Sequence, residues 1–304
     1  MKKQSYVLFG HPVKHSASAA MFTAAFRTAG LPHSYSPVDV GTLGALERAV
    51  GYLRDGVYDG ANVTLPYKRE VLGLVDRIDE SAARALAANV LVRDANDKVV
   101  AYNTDVGALQ AEIVEATADR RRAAILGAGG AATAAIAACK ALGFSVIGVT
   151  TRSWTDTEAI VDSPSSERVR AVGGLASVWP SHEHVQPSTK LSMAMRMQWT
   201  ELAQLADIVI QATSAGMQGA DPGDEVASVV PFESMSKRAF ALDLVYRPPT
   251  TPFIEKARKA GIPAASGLGM LVRQAEAAYK LWLGQAPAPA VMRNAVDALI
   301  AGDS

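Results

Sequence analysis

One stretch of the chain, Arg120 to Ser153, constrains the fold more than any other because it holds a complete strand, turn, helix and strand. The apolar strand RAAIL runs into a glycine-rich turn, an alanine-rich helix follows, and the apolar strand SVIGV ends the stretch. Two strands joined by such a helix pair in parallel, with the helix packed on the sheet. The sequence therefore predicts an α/β fold with a mostly parallel sheet.

The glycine turn of this stretch has the spacing of a dinucleotide-binding turn. Gly127, Gly129 and Ala132 fit the pattern G-x-G-x-x-G/A directly after a strand and at the start of a helix. Gly127 allows the tight turn, Gly129 lets the backbone approach a pyrophosphate, and Ala132 lets helix and strand pack closely. A strand-to-helix turn that binds nothing is the alternative. The position of the glycine turn, directly after a strand and at the start of a helix, favours a Rossmann-type domain.

The residues after the second strand indicate which dinucleotide is bound. The strand ends in Thr150, Thr151, Arg152 and Ser153, without the carboxylate that would accept a hydrogen bond from the ribose 2′-hydroxyl of NAD. A guanidinium flanked by hydroxyls suits a 2′-phosphate. NADP(H) is therefore predicted as the cofactor, while a solvated surface arginine is the alternative for Arg152.

Two further blocks flank this stretch. Short apolar runs alternate with helical patterns over the first hundred residues, which predicts an α/β domain with a mostly parallel sheet for this block as well. The chain after Gly267 is predicted to be helical to its end. The boundary between the first block and the Rossmann-type domain is expected near residues 105–120. Residues 154–200 have little periodicity, although LSMAMRMQW alternates as a strand would.

Composition excludes several classes of protein. Lys plus Arg and Asp plus Glu both total 30, so the formal net charge is zero and no overall field attracts nucleic acid or anionic membrane. Cys139 is the only cysteine, and a buried helix face in a reducing compartment is expected for it. No apolar run is long enough for a signal sequence or a membrane span. A cytoplasmic protein, monomeric or homodimeric, with a small-molecule substrate is expected.

Lys68 and Asp105 are the candidates for proton transfer. Reduction of a ketone by hydride leaves an alkoxide, so a proton donor must lie close to the carbonyl oxygen. Lys68 follows the turn at Pro66 in NVTLPYK, and Asp105, in AYNTD, is predicted to end the apolar strand VVAYN. If they meet, the carboxylate can orient the ammonium; two unrelated surface charges are the alternative.

Hydroxyl and amide side chains near these residues could bind a polyhydroxylated acid. Ser16 and Ser18 lie in GHPVKHSAS, before a predicted helix, and could instead cap that helix. Thr64 and Asn89 are ambiguous taken alone.

Together these segments resemble the shikimate dehydrogenase family along nearly the whole chain. The family's motifs occur in order: HSAS, NVTLPYK, ANVLV, YNTD, GAGGAA, TTRS, ATSAGM, LDLVYRPPTTP and GLGMLVRQA. The resemblance implies an NADP-dependent enzyme of aromatic amino-acid and chorismate biosynthesis. It also implies a discontinuous substrate-binding domain of residues 1–106 and 268–304, with an NADP-binding domain of residues 107–267.

The resemblance assigns roles to individual residues. Lys68 and Asp105 would form the catalytic dyad, with Lys68 as general acid and base. The substrate would be bound by Ser16, Ser18, Thr64, Asn89, Tyr246 and Gln274. The cofactor would be bound by Gly127, Ala128, Gly129, Gly130, Ala131, Thr151, Arg152, Ser153, Thr213, Ser214, Leu244, Gly267 and Met270.

Some positions depart from the family pattern. Ala19 replaces the usual proline after Ser18, Phe22 lies where a histidine is usual, and Val90 replaces a threonine. The stretch between TTRS and ATSAGM is longer than usual by about two dozen residues, an insertion that costs little as a surface loop. These departures leave quinate, aminoshikimate or another analogue open as the substrate.

Two other interpretations are weaker. A non-catalytic, metabolite-sensing regulator on the same fold would be expected to lose the dyad or gain a basic module. His182 and His184 have H-x-H spacing, but no further ligand nearby completes a metal site, so no metal is predicted.

Overall fold

The computed structural model describes residues 2–14, 16–127, 129–150, 190–193 and 196–302. The chain divides into two compact units. Unit 1 consists of Met1–Ala108 and Leu271–Ser304, and unit 2 consists of Leu109–Met270.

Unit 1 is built on a six-stranded mixed sheet with the strand order β2-β1-β3-β5-β6-β4. Strands β1, β2 and β3 pair in parallel, as do β4 and β6, whereas β3–β5 and β5–β6 are antiparallel. A 3-10 turn at Glu70–Gly73 joins the third strand to the fourth. The elements are β1 (Ser5–Gly10), α1 (Ser18–Thr28), β2 (Ser34–Asp39), α2 (Leu43–Arg54), β3 (Gly60–Val63), β4 (Arg77–Ile78), α3 (Glu80–Ala85), β5 (Val90–Arg93), β6 (Val99–Tyr102) and α4 (Asp105–Ala116).

The antiparallel pair β5–β6 arises from a short connection. Asp94 Oδ1 accepts hydrogen bonds from the backbone N–H groups of Asn96 and Lys98, at 2.9 and 3.0 Å. Asp97 adopts a positive φ of 61°, which suits a tight turn. A connection this short can join only antiparallel neighbours, since a parallel pair needs a crossover.

Helix α2 shows how sequence periodicity builds the core of unit 1. Leu46, Ala49, Val50 and Leu53 recur at helical spacing, and all four are buried. The side chain of Thr42 caps the helix by accepting a hydrogen bond from the backbone N–H of Ala45. The apolar face packs in one cluster with residues of β1, β3 and β5.

Unit 2 contains a second six-stranded sheet, ordered β12-β11-β10-β7-β8-β9, in which every pairing is parallel. Its short strands alternate with helices, so the predicted α/β fold is confirmed. A 3-10 turn lies at Phe232–Ser234. The elements are β7 (Arg122–Leu126), α5 (Gly130–Ala141), β8 (Val146–Thr150), β9 (Lys190–Met193), α6 (Arg196–Gln204), β10 (Ile208–Gln211), α7 (Asp224–Ser228), β11 (Phe240–Asp243), α8 (Pro252–Lys259) and β12 (Ala264–Ser266).

The segment LSMAMRMQW forms a strand in its first part only. Strand β9 ends at Met193 and adds to the edge of the sheet beside β8, whereas Arg196 to Trp199 belong to helix α6. Trp199 is buried and donates its indole N–H to the carbonyl oxygen of Val229 at 2.9 Å. The spacing of Trp199, Leu202 and Ala203 suits a helix packed on the core, so tertiary packing overrides the local alternation.

The C-terminal helices are α9 (Leu268–Leu283) and α10 (Val291–Gly302). Trp282 of α9 stacks on Tyr6 with ring centroids 4.7 Å apart and donates its indole N–H to the Leu91 carbonyl oxygen at 3.0 Å. The ring fits there because Gly60 has no side chain; a Cβ would lie 2.5 Å from Trp282 Nε1. Helix α10 packs on α1, so both ends of the chain contribute to unit 1.

Within the described ranges, no helix combines the length and hydropathy needed to cross a lipid bilayer.

Candidate active site

Lys68 and Asp105 form an ion pair in unit 1. A turn places Lys68 after β3, with the Tyr67 N–H donating to the Thr64 carbonyl oxygen at 3.0 Å. Asp105 lies three residues beyond the end of β6 and is the first residue of α4, so it does not itself end a strand. Lys68 Nζ donates to Asp105 Oδ2 at 2.7 Å, and the two side chains are 17% and 3% exposed. An ion pair so shielded from water interacts more strongly than one on the surface.

Asn89 fixes the second oxygen of Asp105. The amide nitrogen of Asn89 lies 2.9 Å from Asp105 Oδ1, 2.9 Å from Thr104 Oγ1 and 3.2 Å from Gln274 Oε1. Its own oxygen accepts the Thr104 N–H at 2.8 Å. Both carboxylate oxygens of Asp105 therefore have partners, and Gln274, far away in sequence, joins the same cluster.

Ser16 and Ser18 form a second cluster in unit 1. Ser16 Oγ donates to Ser18 Oγ at 3.1 Å and accepts the Ser18 N–H at 3.3 Å. Ser18 does not cap helix α1, because Ala17 occupies the N-cap position and Ser18 is the first helical residue. The capping alternative is thus wrong for Ser18.

Thr64 lies at the same edge of the sheet as these serines. It follows β3, whose carboxyl end neighbours that of β1, and its N–H donates to the Phe9 carbonyl oxygen at 2.8 Å. Ligands of α/β proteins bind at the carboxyl ends of parallel strands. The candidate residues Ser16, Thr64 and Lys68 all follow such ends.

The glycine turn of unit 2 has the geometry of an anion-binding site. Gly127 has a φ of 120° and donates its N–H to the Thr150 carbonyl oxygen at 2.7 Å; a Cβ there would lie 2.8 Å from the Ala212 carbonyl oxygen. Gly129 occupies the N-cap of α5 without a side-chain capping bond, and no described heavy atom lies within 4 Å of its missing Cβ. A helix N-terminus that faces such open space can accept a pyrophosphate. Gly130, Ala131 and Ala132 follow in the first turn.

The carboxyl ends of β10 and β11 carry the next predicted cofactor residues. Thr213 and Ser214 follow β10, and Leu244 follows β11. Tyr246, a predicted substrate residue, lies two positions further on and is half-buried. Gly267 donates its N–H to the Val245 carbonyl oxygen at 3.0 Å, and a side chain on Gly267 would collide with the Leu244 backbone. Met270, in the first turn of α9, is buried.

Two buried side chains that sequence reasoning missed hold these loops. Gln211, the last residue of β10, accepts the Thr213 N–H at 2.5 Å and donates to the Ala215 carbonyl oxygen at 2.9 Å. Its neighbour in the sheet register is Asp243, the last residue of β11. Both are almost fully buried, and a polar residue that ends an apolar strand was the available signal.

Asp243 is a buried carboxylate with two hydrogen-bond donors. It accepts the Val245 N–H at 2.9 Å and the hydroxyl of Thr251 at 2.5 Å. Burial raises the pKa of Asp243 to about 6, although both hydrogen bonds act to lower it. Thr251 also caps helix α8, so one carboxylate fixes both ends of the loop from 244 to 251.

In unit 1 the missed residues are Tyr35, Asn62 and Asn103. Asn103 donates to the Ala87 carbonyl oxygen at 2.9 Å and accepts the Val106 N–H at 3.1 Å, and so holds the turn before Asp105. Asn62 lies in the motif NVTLPYK and Asn103 lies in the motif YNTD. These motifs were the available signal for both residues.

Some predicted positions lie outside the described residues. They are Ala128, Thr151, Arg152, Ser153, His182 and His184. No group of three or more metal-ligating side chains occurs among the residues that are described.

Unit 2 has a parallel sheet with an open glycine turn, and unit 1 has a shielded lysine–aspartate pair. These features define a two-unit α/β protein of the dinucleotide-binding class. Residues 8–91 match the family model for the shikimate dehydrogenase substrate binding domain. Residues 267–296 match the model for the shikimate 5′-dehydrogenase C-terminal domain.

Curated proteins and solved structures resemble the chain over nearly its whole length. The NADP(+) shikimate dehydrogenase of Methanopyrus kandleri strain AV19 is 35% identical over 95% of this chain and 93% of its own. A shikimate 5-dehydrogenase of Thermus thermophilus, solved with NADP(H) and shikimate, has a TM-score of 0.76 and 28% identity, covering 97% of this chain and 99% of that one. The 5-ketofructose reductase of Gluconobacter sp. strain CHM43 has a TM-score of 0.75 and 26% identity, covering 98% and 99%. The chain belongs to the shikimate dehydrogenase family.

Proposed function

We propose that this chain is an NADP-dependent shikimate dehydrogenase, which transfers hydride reversibly between NADPH and 3-dehydroshikimate to give shikimate. The observation that carries the proposal is the Lys68–Asp105 pair, 2.7 Å long and shielded, with Asn89 on the second carboxylate oxygen. The name of the Methanopyrus kandleri relative supports the same activity.

Lys68 is the proposed general acid and base. During reduction its ammonium donates a proton to the ketone oxygen as the carbon accepts hydride, which gives an alcohol without a free alkoxide. During oxidation the amine takes the hydroxyl proton as hydride leaves the same carbon. The carboxylate of Asp105 balances the charge of the ammonium. It also orients the ammonium, because Asn89 fixes the other carboxylate oxygen.

The substrate would be held by neutral hydrogen bonds around this pair. Ser16 and Ser18 are the proposed donors to the ring carboxylate, and they already lie 3.1 Å apart. Thr64, Asn89 and Gln274 would bind ring hydroxyls, and Asn89 and Gln274 are in hydrogen-bond contact. Tyr246, in unit 2, is the remaining proposed substrate contact.

The residues of unit 2 fit NADP(H). The cofactor supplies the hydride in reduction and accepts it in oxidation. Gly127, Gly129, Gly130 and Ala131, with Ala128, would hold the pyrophosphate, since the space beside Gly129 is open and α5 has no acidic residue in its first turn. Further contacts along the cofactor are proposed for Thr213, Ser214, Leu244, Gly267 and Met270.

Preference for NADP over NAD is assigned to Thr151, Arg152 and Ser153. They directly follow β8 in sequence, and Thr150, the last residue of β8, accepts the N–H of Gly127 in the glycine turn. A guanidinium with two hydroxyls matches a 2′-phosphate and offers no acceptor to a free 2′-hydroxyl.

Reduction of another polyhydroxylated ketone is the second candidate function. The Gluconobacter relative in structure is by its title a 5-ketofructose reductase, and Ala19, Phe22 and Val90 depart from the usual family pattern. One altered contact changes discrimination between substrates by about 1–3 kcal/mol, which is enough to change which of several related substrates is preferred.

Unit 1 is the proposed substrate-binding part and unit 2 the proposed cofactor-binding part. The proposed compartment is the cytoplasm, in keeping with a single buried thiol at Cys139. Monomer and homodimer are both compatible with the proposal.

A spectrophotometric assay at 340 nm tests the function. Shikimate, quinate, aminoshikimate and 5-ketofructose should each be paired with the NADP and the NAD form of the cofactor, in the oxidised or reduced state that the substrate requires. The highest kcat/KM is expected for shikimate with NADP+. Turnover of none of these pairs would contradict the proposal and favour the non-catalytic regulator, whereas preference for 5-ketofructose would establish the second candidate.

A further inference from the structure

The side chain of Gln211 holds the loop that follows β10 from the inside. Gln211 is 1% exposed. Its Oε1 accepts the Thr213 N–H at 2.5 Å, and its Nε2 donates to the Ala215 carbonyl oxygen at 2.9 Å. The hydroxyl oxygen of Thr213 accepts the Ala215 N–H at 3.1 Å. Three hydrogen bonds within five residues therefore fix the course of this loop.

An amide is the side chain that these two backbone groups require. It can accept a hydrogen bond through its oxygen and donate one through its nitrogen at the same time, whereas a carboxylate can only accept. Because Gln211 is almost fully buried, water cannot easily replace either bond when the amide is removed. The conformation of the loop thus depends on this one side chain.

The loop lies directly against the glycine turn of unit 2. The Ala212 N–H donates to the carbonyl oxygen of Leu126, the residue before Gly127, at 2.8 Å. A Cβ on Gly127 would lie 2.8 Å from the Ala212 carbonyl oxygen and 3.1 Å from Thr213 Cγ2. A displacement of the loop would therefore change one wall of the proposed pyrophosphate site.

We propose that Gln211 is a positioning residue for the dinucleotide, because its amide fixes Thr213 and Ser214 beside Gly127. This inference rests on the proposed function, in which Thr213 and Ser214 contact the cofactor. Gln211 is buried beneath the loop and acts through it, without contact with the reacting atoms.

Gln211→Met tests the inference, since methionine keeps the length of the side chain and removes both strong hydrogen bonds. The loop would then spend only a fraction of its time in the binding arrangement, so the Kd for NADPH should rise about ten-fold. The KM for shikimate should stay within about two-fold, because the proposed catalytic pair and the serines belong to unit 1. Fluorescence titration and steady-state kinetics measure the two quantities. An unchanged Kd would overturn the inference.

Asp207→Ala is the matched control at the opposite end of the same strand. Asp207 precedes β10, and its Oδ2 accepts the N–H groups of Arg121 and Arg122 at 2.7 and 2.8 Å. This variant also loses two bonds from a side chain to the backbone, but at the edge of the sheet away from the glycine turn. Its Tm should fall while its Kd for NADPH stays within about two-fold. Equal weakening of NADPH in both variants would show that general stability sets the affinity, and the positioning role would be wrong.

Hydrogen exchange in the unsubstituted protein covers the case in which Gln211→Met does not fold. The side-chain N–H of Gln211 that is bonded to Ala215 is compared with the backbone N–H of Arg122, which is bonded to Asp207. Global stabilisation by a ligand slows both by the same factor, whereas a ligand on the loop adds local protection. NADP+ should therefore slow exchange at Gln211 by the larger factor. Equal slowing at the two positions would contradict the inference.

The titration also separates failure of this inference from failure of the proposed function. If the unsubstituted protein binds NADPH but does not oxidise shikimate, the proposed reaction is wrong, and the Kd values still decide the role of Gln211. If it binds no NADPH, the proposed function and the positioning role are both wrong.

Discussion

Lys68 Nζ and Asp105 Oδ2 lie 2.7 Å apart although 37 positions separate the two residues in sequence. The contact depends on two local structures: the turn that follows β3 and the start of α4, which places Asp105 beside Asn89. Both side chains are mostly buried, so the pair is preorganised before any substrate binds.

Lys68→Ala should lower kcat by about 10²- to 10⁴-fold, because the ketone oxygen loses its proton donor. The KM for NADP+ should stay near its original value, since Lys68 belongs to unit 1 and the glycine turn to unit 2. Steady-state kinetics with each substrate varied in turn measures both quantities. Lys98→Ala, at an exposed lysine, is the control and should retain full turnover. Unchanged turnover in the Lys68 variant would remove it from the mechanism.

Gly127→Ala should lower stability, whereas Gly129→Ala should weaken cofactor binding, although the two glycines lie two residues apart. Gly127 has a φ of 120° and no room for a Cβ, so its variant should be destabilised by at least about 1–3 kcal/mol. Gly129 is extended and its Cβ position is open, so its variant should keep the original Tm. Its methyl group would enter the space proposed for the pyrophosphate, and the KM for NADP+ should rise. Thermal unfolding and cofactor titration separate the two, and a Gly129 variant with normal cofactor affinity would argue against this pyrophosphate site.

Arg152→Asp should lower the affinity for NADPH about 10- to 100-fold, because a charge-assisted contact with the 2′-phosphate is lost and a repulsive carboxylate is added. NADH lacks that phosphate, so its affinity should hardly decrease. Fluorescence titration with both reduced cofactors gives the comparison. Equal losses for the two would show that the arginine does not bind the phosphate.

Asp243→Asn should change the pH dependence of stability. The pKa of Asp243 is about 6 in the folded protein and 3.8 ordinarily, so the folded state binds the proton more tightly than the unfolded chain. The contribution of Asp243 to stability therefore decreases as pH rises from about 4 to about 6 and is constant above that range. The free energy of unfolding of the variant, relative to the original protein, should increase by up to about 3 kcal/mol between pH 4 and pH 7. Urea unfolding at several pH values measures it.

Asp94→Asn is the control with the opposite sign. The backbone N–H groups of Lys98 and Asn96 lower the pKa of Asp94, so its contribution to stability is lost as pH falls. The stability of this variant, relative to the original protein, should therefore improve toward low pH. The same trend in both variants would contradict the assignment for Asp243.

Local sequence patterns predicted several elements of the fold. The strand–turn–helix stretch from Arg120 gave β7, α5 and β8, and the alternation in the first hundred residues gave β1, α1, β2 and α2. These patterns are short-range and depend on apolar periodicity, which a single sequence contains. The antiparallel β5–β6 pair was not foreseen, because a five-residue turn is a weaker signal than a helix.

The candidate site was predictable where a motif surrounded the residue. Lys68, Asp105 and Asn89 lie in such motifs, and the structure brings all three together. Tyr35 and Gln211 were missed because their role depends on contacts between distant segments. Only the folded chain shows that the hydroxyl of Tyr35 on β2 donates to Asn62 on β3.

The packing of Trp282 on Tyr6 and Gly60 has a consequence for synthesis on the ribosome. Residues at the end of the chain cover the sheet that its first residues form, whereas unit 2 is complete in sequence by Met270. A nascent chain therefore carries every strand of unit 2 before it carries the helices that cover unit 1. Of the two units, the one whose first strands are translated earlier is the last that can finish folding.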